Sequence, residues 1–364
     1  MNISFGDHFK NKTVLITGDS GFKGSWLAIW LVKLGAKVIG YSLPPKGEQD
    51  NFTVCGLNKI ITHVDGDVRD YNSLSGVFSK YKPDISFHLA AQALVLDSYQ
   101  DPRYTFDTNV MGTVNFFEAV RNTPSVKCAI NVTSDKCYDN REWIYGYREI
   151  DPLGGKDPYS ASKGASEIVT ASYLHSFFQK EAAASVASVR AGNVIGGGDW
   201  AKNRIFPDCM RSLAKGEPIV LRNPDSVRPW QHVLEPLGGY LKLAFMLETV
   251  GKNYCGAWNF GPDYKNMQPV KSLVEKTIKK YGKGNYICEN NGGKLHEANL
   301  LYLDVSKAAN LLGWRSLLDL DEVVSFSVEE YDVAEMKPEE VFAQRTAHIE
   351  KYVENACKKG DARI

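Results

Sequence analysis

The sequence carries no net charge, because 43 lysines and arginines balance 43 aspartates and glutamates. No global field therefore draws the chain to nucleic acid or to an anionic membrane, and any anion site has to be local. An apolar stretch approaching the roughly 20 residues that cross a bilayer is also missing, and residues 1–12 are polar without an apolar signal core. No membrane partner is expected, and a cytoplasmic location is. The seven cysteines (Cys55, Cys128, Cys137, Cys209, Cys255, Cys288 and Cys357) include no Cys-x-x-Cys pair. An odd, dispersed set fits a reducing compartment and neither a disulfide frame nor a zinc ribbon. His88 has no His or Cys at ligand spacing, so it reads as core or as the wall of a cleft, and no metal site is expected.

What is present is an ordinary globular composition: 364 residues, 43% hydrophobic and 24% charged, enough for two domains or one large one. Thr13-Val14-Leu15-Ile16-Thr17 reads as a buried parallel strand, and Phe22, Trp26, Ile29 and Trp30 recur as on one helix face. Further strands are predicted at 37–41, 60–64, 85–90, 128–133 and 186–190, with helical stretches between them and no hairpin signals. That alternation predicts an α/β fold, a Rossmann-type doubly wound parallel sheet. Beyond Arg190, Gly196-Gly197-Gly198-Asp199 and Pro207, Pro218, Pro224 and Pro229 mark a loop-rich region, which places a boundary near Gly192. From about Lys337 the composition predicts a closing helix and a solvated tail.

Gly18-Asp19-Ser20-Gly21-Phe22-Lys23-Gly24 lies between the first strand and the first helix. Glycine permits a sharp turn and lets a pyrophosphate approach the backbone amides and the positive helix end, so dinucleotide binding is favoured over a plain tight turn. Asp67, after the third strand, stands where it could meet the adenine, an acidic loop being the alternative. The second strand lacks the expected acid for the adenosine ribose, since it ends Gly40-Tyr41-Ser42-Leu43. NAD and NADP both stay open on that ground, with Lys46 as a candidate phosphate partner.

Among 18 tyrosines only Tyr159 has a lysine four positions on, and Tyr159 and Lys163 then share one helix face. A solvated pair is the plain alternative; the chemical reading is that Lys163 and a nicotinamide charge lower the phenol from about 10 so that it accepts a hydroxyl proton. Ser134-Asp135-Lys136 stands at the carboxyl end of the fifth strand, where ligands sit in open α/β sheets. There Ser134 would bind a sugar oxygen, Asp135 would protonate a leaving hydroxyl and Lys136 would take a proton or oppose a developing charge. Arg204, Arg222 and Arg228, near Trp230 and His232, offer guanidinium forks for a diphosphate.

With these residues, and with Phe87-His88-Leu89-Ala90-Ala91-Gln92, Thr108-Asn109-Val110-Met111-Gly112-Thr113, Arg190-Ala191-Gly192-Asn193-Val194-Ile195-Gly196 and Arg228-Pro229-Trp230 in order, the chain resembles the extended short-chain dehydrogenases/reductases that act on nucleotide sugars. Gly21-Phe22-Lys23-Gly24-Ser25-Trp26-Leu27 and Ser134-Asp135-Lys136-Cys137-Tyr138 resemble the branch that dehydrates CDP-glucose, with Lys136 where other relatives usually carry Glu. Asp19 departs from that branch, which commonly has His there.

The resemblance implies NAD as cofactor, held by Gly18, Gly21, Phe22, Lys23, Gly24, Asp67, Val68, Leu89, Ala90, Ala91, Tyr159 and Lys163. For the nucleotide-sugar substrate it implies Gln92, Asn193, Arg204, Arg222, Arg228 and Tyr302. It implies loss of water from CDP-glucose to a 4-keto-6-deoxy sugar, for deoxysugar and surface polysaccharide biosynthesis, through Ser134, Asp135, Lys136, Tyr159 and Lys163. It also implies a discontinuous lobe, with a dinucleotide domain over 1–192 to which 226–262 returns, a substrate lobe over 193–225 and 263–350, and a tail over 351–364. A homodimer through the helix after Thr108 and the helix bearing Tyr159 completes the expectation. The alternatives are a dehydratase of dTDP-glucose, a UDP-sugar or GDP-mannose, a nucleotide-sugar 4-epimerase, and a non-catalytic binding protein on the same fold.

Overall fold

The computed structural model describes residues 5–289 and 300–359; the expected lobe residues 290–299 and the end of the expected tail, 360–364, lie outside the described residues. Seven parallel strands form the central sheet: β1 (Thr13–Thr17), β2 (Lys37–Ser42), β3 (Thr62–Asp65), β4 (Ile85–His88), β5 (Cys128–Val132), β6 (Ser185–Ala191) and β7 (Gly256–Phe260). Their spatial order is β7-β6-β5-β4-β1-β2-β3. Successive residues of β1 serve opposite faces, Val14 and Ile16 entering one core and Leu15 the other. A strand covered on both sides has to be apolar throughout, which is why Val14, Leu15 and Ile16 form an unbroken run.

On one face lie α1 (Phe22–Lys33) and the later α6 (Leu234–Thr249), with Trp26, Trp30, Leu237 and Tyr240 buried. On the other, α2 (Tyr71–Tyr81), α3 (Gly112–Arg121) and α4 (Pro158–Phe177) contribute Phe78, Phe116, Phe117 and Leu174. The strand order reverses between β1 and β4, and that switch point opens the crevice in which ligands of such sheets sit.

The lobe follows β6. It holds α5 (Ile205–Lys215), and two-stranded ladders join Val194–Ile195 to Gln231–His232, Val227–Pro229 to Met267–Pro269 and Ile219–Leu221 to Tyr286–Cys288. The chain then returns through α6 and adds β7 to the edge of β6, from Gly256 opposite Ala187 to Phe260 opposite Ala191. After α7 (Val270–Tyr281) come α8 (Leu320–Tyr331) and α9 (Pro338–Lys358). Glu330 of α8 is buried and accepts from His232 Nε2 at 3.0 Å, His348 Nδ1 at 2.9 Å and the Gly197 amide at 2.6 Å. Burial pushes its carboxyl up, but His232 and His348 outweigh that and hold it well below the usual range. One carboxylate thus ties the glycine turn of the lobe to α9.

Three expectations need correction. The third strand starts at Thr62, after a helical turn over Leu57–Lys59 carries Ile61 into the core, and the fourth ends at His88 because the backbone of Leu89 and Ala90 packs against Gly18. The start of the expected tail over 351–364 continues the closing helix through Lys358, and it keeps Tyr352 and Ala356 buried while Lys351, Glu354, Cys357 and Lys358 are exposed. Val341, Arg345, His348, Ile349, Tyr352 and Ala356 recur at helical spacing and are buried, with the Tyr352 and Trp30 rings 5.8 Å apart. Lys-, Glu- and Ala-rich composition hid that stripe. Ile349→Ala should therefore cost about 2–5 kcal/mol, as for a core residue; urea denaturation measures it, and a change below about 0.5 kcal/mol would show that this helix face is not part of the core.

Candidate active site

The β1–α1 loop is shaped by close backbone approach. A Cβ on Gly18, whose φ is +79°, would lie 2.6 Å from the Ala90 amide nitrogen, and one on Gly24 would lie 2.0 Å from the Gly18 carbonyl oxygen. Only glycine fits either position, so the loop stays flat against the end of β4. Gly21 caps α1 in an extended conformation without a side-chain cap, which leaves the first amides of a 12-residue helix to be satisfied from outside the chain. A pyrophosphate is the ligand such a cradle fits. Leu89, Ala90 and Ala91 line the β4 side, half-buried.

Tyr159 and Lys163 are buried on the first turns of α4, which Asp157 caps by accepting from the Ser160 amide at 2.9 Å. Asp135, in the 3₁₀ turn after β5, accepts from the Ser134 hydroxyl at 2.9 Å. Burial pushes Asp135 up, with Lys136, Ser134 and Lys23 pulling the other way. Burial likewise holds Tyr159 up at about 12, against an interaction with the Ser134 hydroxyl and the Arg204 charge, while Asp135 adds to the rise.

The expected lowering of Tyr159 by Lys163 is therefore not what the protein alone provides. The Lys163 ammonium donates to the Val132 carbonyl at 3.3 Å, and burial lowers it to about 8 against the pull of Glu167. Lys23 reaches the same place from the glycine loop and is lowered to about 8 by burial and by Arg204, with Asp135 opposing. His88 is neutral core, as one of its readings had it: burial lowers it to about 3, and its ring stacks on Phe116 with centroids 4.7 Å apart.

A second layer, not singled out from the sequence, holds these groups. Glu167, one turn beyond Lys163, is ion-paired with Arg190 of β6 at 2.8 Å and accepts from Ser188 at 2.7 Å and from the Thr133 hydroxyl. Thr133 immediately precedes Ser134, so the pair fixes where the turn bearing Ser134 and Asp135 begins. The signal was the spacing Tyr159, Lys163, Glu167, every fourth residue on one helix face.

The other candidates are dispersed. Arg204 faces the site, held by Asp199 at 2.9 Å. Asn193 and Arg228 are half-buried on the lobe side, and the Arg228 guanidinium donates to the Val227 carbonyl at 3.0 Å. Arg222 is exposed at the end of its strand. The Tyr302 hydroxyl donates to the Ile144 carbonyl, and its ring meets Tyr264 edge-on at 6.0 Å.

Two candidates are engaged within the protein. The Gln92 side chain bonds Leu94 and Thr105, at 3.0 Å from its amide nitrogen to each acceptor, which shapes its own turn instead of presenting a free amide. The Asp67 carboxylate is gripped by the Arg69 guanidinium at 2.6 Å, so a contact to adenine would have to share it. Val68 is buried beside Gly112 and forms wall.

A doubly wound sheet with its glycine loop at the switch point, and with a Tyr/Lys pair beside a Ser-Asp turn at the end of β5, defines an extended short-chain dehydrogenase/reductase. Within that class the chain belongs to the family described as GDP-mannose 4,6 dehydratase, whose model matches residues 15–326. The chain is 46% identical over 320 residues to a CDP-glucose 4,6-dehydratase of Salmonella typhimurium, covering 87% of this chain and 89% of that protein. A dTDP-glucose 4,6-dehydratase of Xanthomonas campestris is 23% identical over 338 residues, 88% of this chain and 93% of its own. Among solved structures, the fold superposes on a dTDP-glucose 4,6-dehydratase of Bacillus anthracis with a TM-score of 0.72 at 21% identity, over 89% of this chain and 97% of that one.

The buried Lys163 yields a prediction on stability. A lysine whose folded pKa lies below its unfolded value destabilises the fold at pH values where it must be charged, and the penalty fades as pH rises through about 8 toward 10.5. Lys163→Met should thus stabilise the protein at pH 7 by up to about 3 kcal/mol while abolishing turnover. Chemical denaturation at pH 7 and pH 10 checks this, with the gain expected at pH 7 only; a variant less stable than the parent at both would refute it.

Proposed function

We propose that the protein is an NAD-dependent 4,6-dehydratase that converts CDP-glucose to CDP-4-keto-6-deoxyglucose. The observation that carries this reading is Asp135, a buried carboxyl held above the ordinary range in the turn that also presents Lys136 and adjoins Tyr159. A 4-epimerase needs only the tyrosine; an acid for a leaving hydroxyl has use only where water is eliminated. The 46% identity to a CDP-glucose 4,6-dehydratase supports the choice of base.

The glycine cradle and the N-terminus of α1 would hold NAD, which would supply the acceptor for the carbon-4 hydride and its donor back to carbon 6. Tyr159, its phenol drawn down by the positive nicotinamide charge from the raised value it has in the protein alone, would accept the proton of the carbon-4 hydroxyl, with Ser134 orienting that oxygen. The carbon-4 ketone acidifies the carbon-5 proton. Lys136, half-buried at the mouth of the turn, serves there as the base or as the cation opposite the enolate. Asp135 gives its proton to the carbon-6 hydroxyl, which departs as water. Arg204 and Arg228, with Asn193, bind the nucleotide diphosphate from the lobe.

We also propose a homodimer: Tyr99, Phe106, Met111, Ile168 and Phe177 are exposed apolar side chains, three just before α3 and two on α4, and a second copy of the chain would cover them. Among the described residues no helix is long and apolar enough to cross a membrane. A cytoplasmic role in deoxysugar synthesis for surface polysaccharide follows from the proposed product.

The test is incubation with NAD and a panel of CDP-, dTDP-, UDP- and GDP-sugars, with the 4-keto product read by its ultraviolet absorbance in alkali. Product from CDP-glucose is expected, and an epimer or none would refute the reading. Tyr159→Phe should lower turnover by roughly 10²–10⁴ with substrate binding largely kept, and a folded variant near parental turnover would remove Tyr159 from its role. Lys136→Ala should spare the oxidation and sharply reduce exchange of the carbon-5 proton in deuterated water. Unchanged exchange and dehydration would make Lys136 a bystander.

A further inference from the structure

The carboxylate of Asp19 is wholly buried under the glycine loop, against the second strand. A Cβ on Gly40 would lie 1.9 Å from its Oδ2, so the missing side chain of β2 is what makes room for it. Opposite Gly40 in register stands His63 of β3. Its Nδ1 lies 2.6 Å from Asp19 Oδ2 and its Nε2 lies 3.2 Å from Asp65 Oδ1. A neutral imidazole has one N–H, whereas both of these partners are acceptors when ionised, so the ring that satisfies both is the imidazolium. Asp19 Oδ1 is buried and has no hydrogen-bond partner among the described residues, so the buried carboxylate is met through Oδ2 by His63. The loop bearing Asp19 is tied to β2 from both sides, by the Gly18 amide on the Tyr41 carbonyl at 2.9 Å and by the Ser20 amide on the Ser42 hydroxyl at 3.3 Å.

We propose that Asp19 and His63 are positioning residues for the dinucleotide, and that NAD binds tightly only while His63 is protonated. This rests on the assignment of the glycine loop to NAD. The pyrophosphate brings negative charge to the amides beside Asp19. With His63 cationic, the buried carboxylate is compensated and the loop keeps its seat on β2. When His63 is neutral, its single N–H serves one carboxylate, the net charge of the cluster becomes more negative by one, and the incoming anion is repelled.

The groups facing the ring are few. Asp19 comes from the loop and Asp65 from β3 itself, the Phe52 ring lies 4.9 Å away, and β2 offers only Gly40. The hydrogen bond from Asp19 foremost, with Asp65 adding and burial opposing, holds His63 above its ordinary value. Affinity is therefore retained at low pH and lost as pH rises through that raised value.

The experiment is calorimetric titration of the full-length protein, freed of nucleotide, with NAD from pH 6 to 9. For the parent the dissociation constant should rise about tenfold over this range, the scale of one linked proton, and the binding enthalpy should vary with buffer in the sense of proton uptake. His63→Asn, which keeps a donor toward Asp19 without the charge, should bind at pH 6 as weakly as the parent does at pH 9, with a flat profile. Asp19→Asn removes the charge in need of compensation, so it should also be flat but without the loss, and it serves as the test if the His63 variant does not fold. A flat parental profile, or an unchanged slope in either folded variant, would overturn the assignment. Failure of the folded parent to bind NAD at any pH would instead overturn the dinucleotide reading on which it rests.

Discussion

A buried ion pair between Glu167 and Arg190 organises the side of the sheet that carries the candidate site. Both side chains are 3% exposed, so the attraction acts where solvent does not screen it. Desolvation opposes the charges, but Arg190 and hydrogen bonds from Thr133 and Ser188 outweigh it and keep the glutamate below its usual range. Three elements meet at that carboxylate: α4 through Glu167, β6 through Ser188 and Arg190, and the end of β5 through Thr133. Arg190 continues outward to the Tyr138 hydroxyl at 2.6 Å, and Tyr138 donates to Asn259 of β7 at 2.8 Å. Losing one member would leave the other as an uncompensated buried charge, which costs about 3–5 kcal/mol. The geometry of Ser134, Asp135 and Tyr159 is in this sense inherited from a buried pair one layer behind them.

Much of the fold is legible in the sequence because parallel strands and their helices obey local rules. β1, β2, β5 and β6 fall within a residue or so of their predicted spans, since each is a run of buried residues, unbroken in β5 and β6 and interrupted only at the first residue in β1 and β2. The ends of β3 and β4 are less legible, because they are set by where distant backbone packs. The helical stripe of α9 was missed because its buried members include Arg345 and His348, polar side chains that read as surface until Glu330 and Asn51 are known to meet them.

In the site, Tyr159 and Lys163 could be read from spacing and Ser134 to Lys136 from position. Their electrostatics could not. Whether a phenol is pushed up or down depends on what surrounds it in space, and here burial and Asp135 prevail over a lysine that turns away to the Val132 carbonyl. The gap at the end of β2 was visible as an absence. What fills it, a carboxylate from the neighbouring loop, was not, because Asp19 and His63 are 44 residues apart.

The edge position of β7 has a consequence for the timing of synthesis. Strand β6 is complete at Ala191, but the strand that covers its outer edge begins only at Gly256, some 65 residues later. At about 5–20 residues per second on the ribosome, that interval leaves a strand that is buried along its whole length in the finished fold with a row of unpaired amides and carbonyls for several seconds. Such an edge invites pairing with another nascent chain. The insertion that builds the lobe thus carries a cost borne before the fold is complete, in a dependence on whatever shields that edge while the lobe is being made.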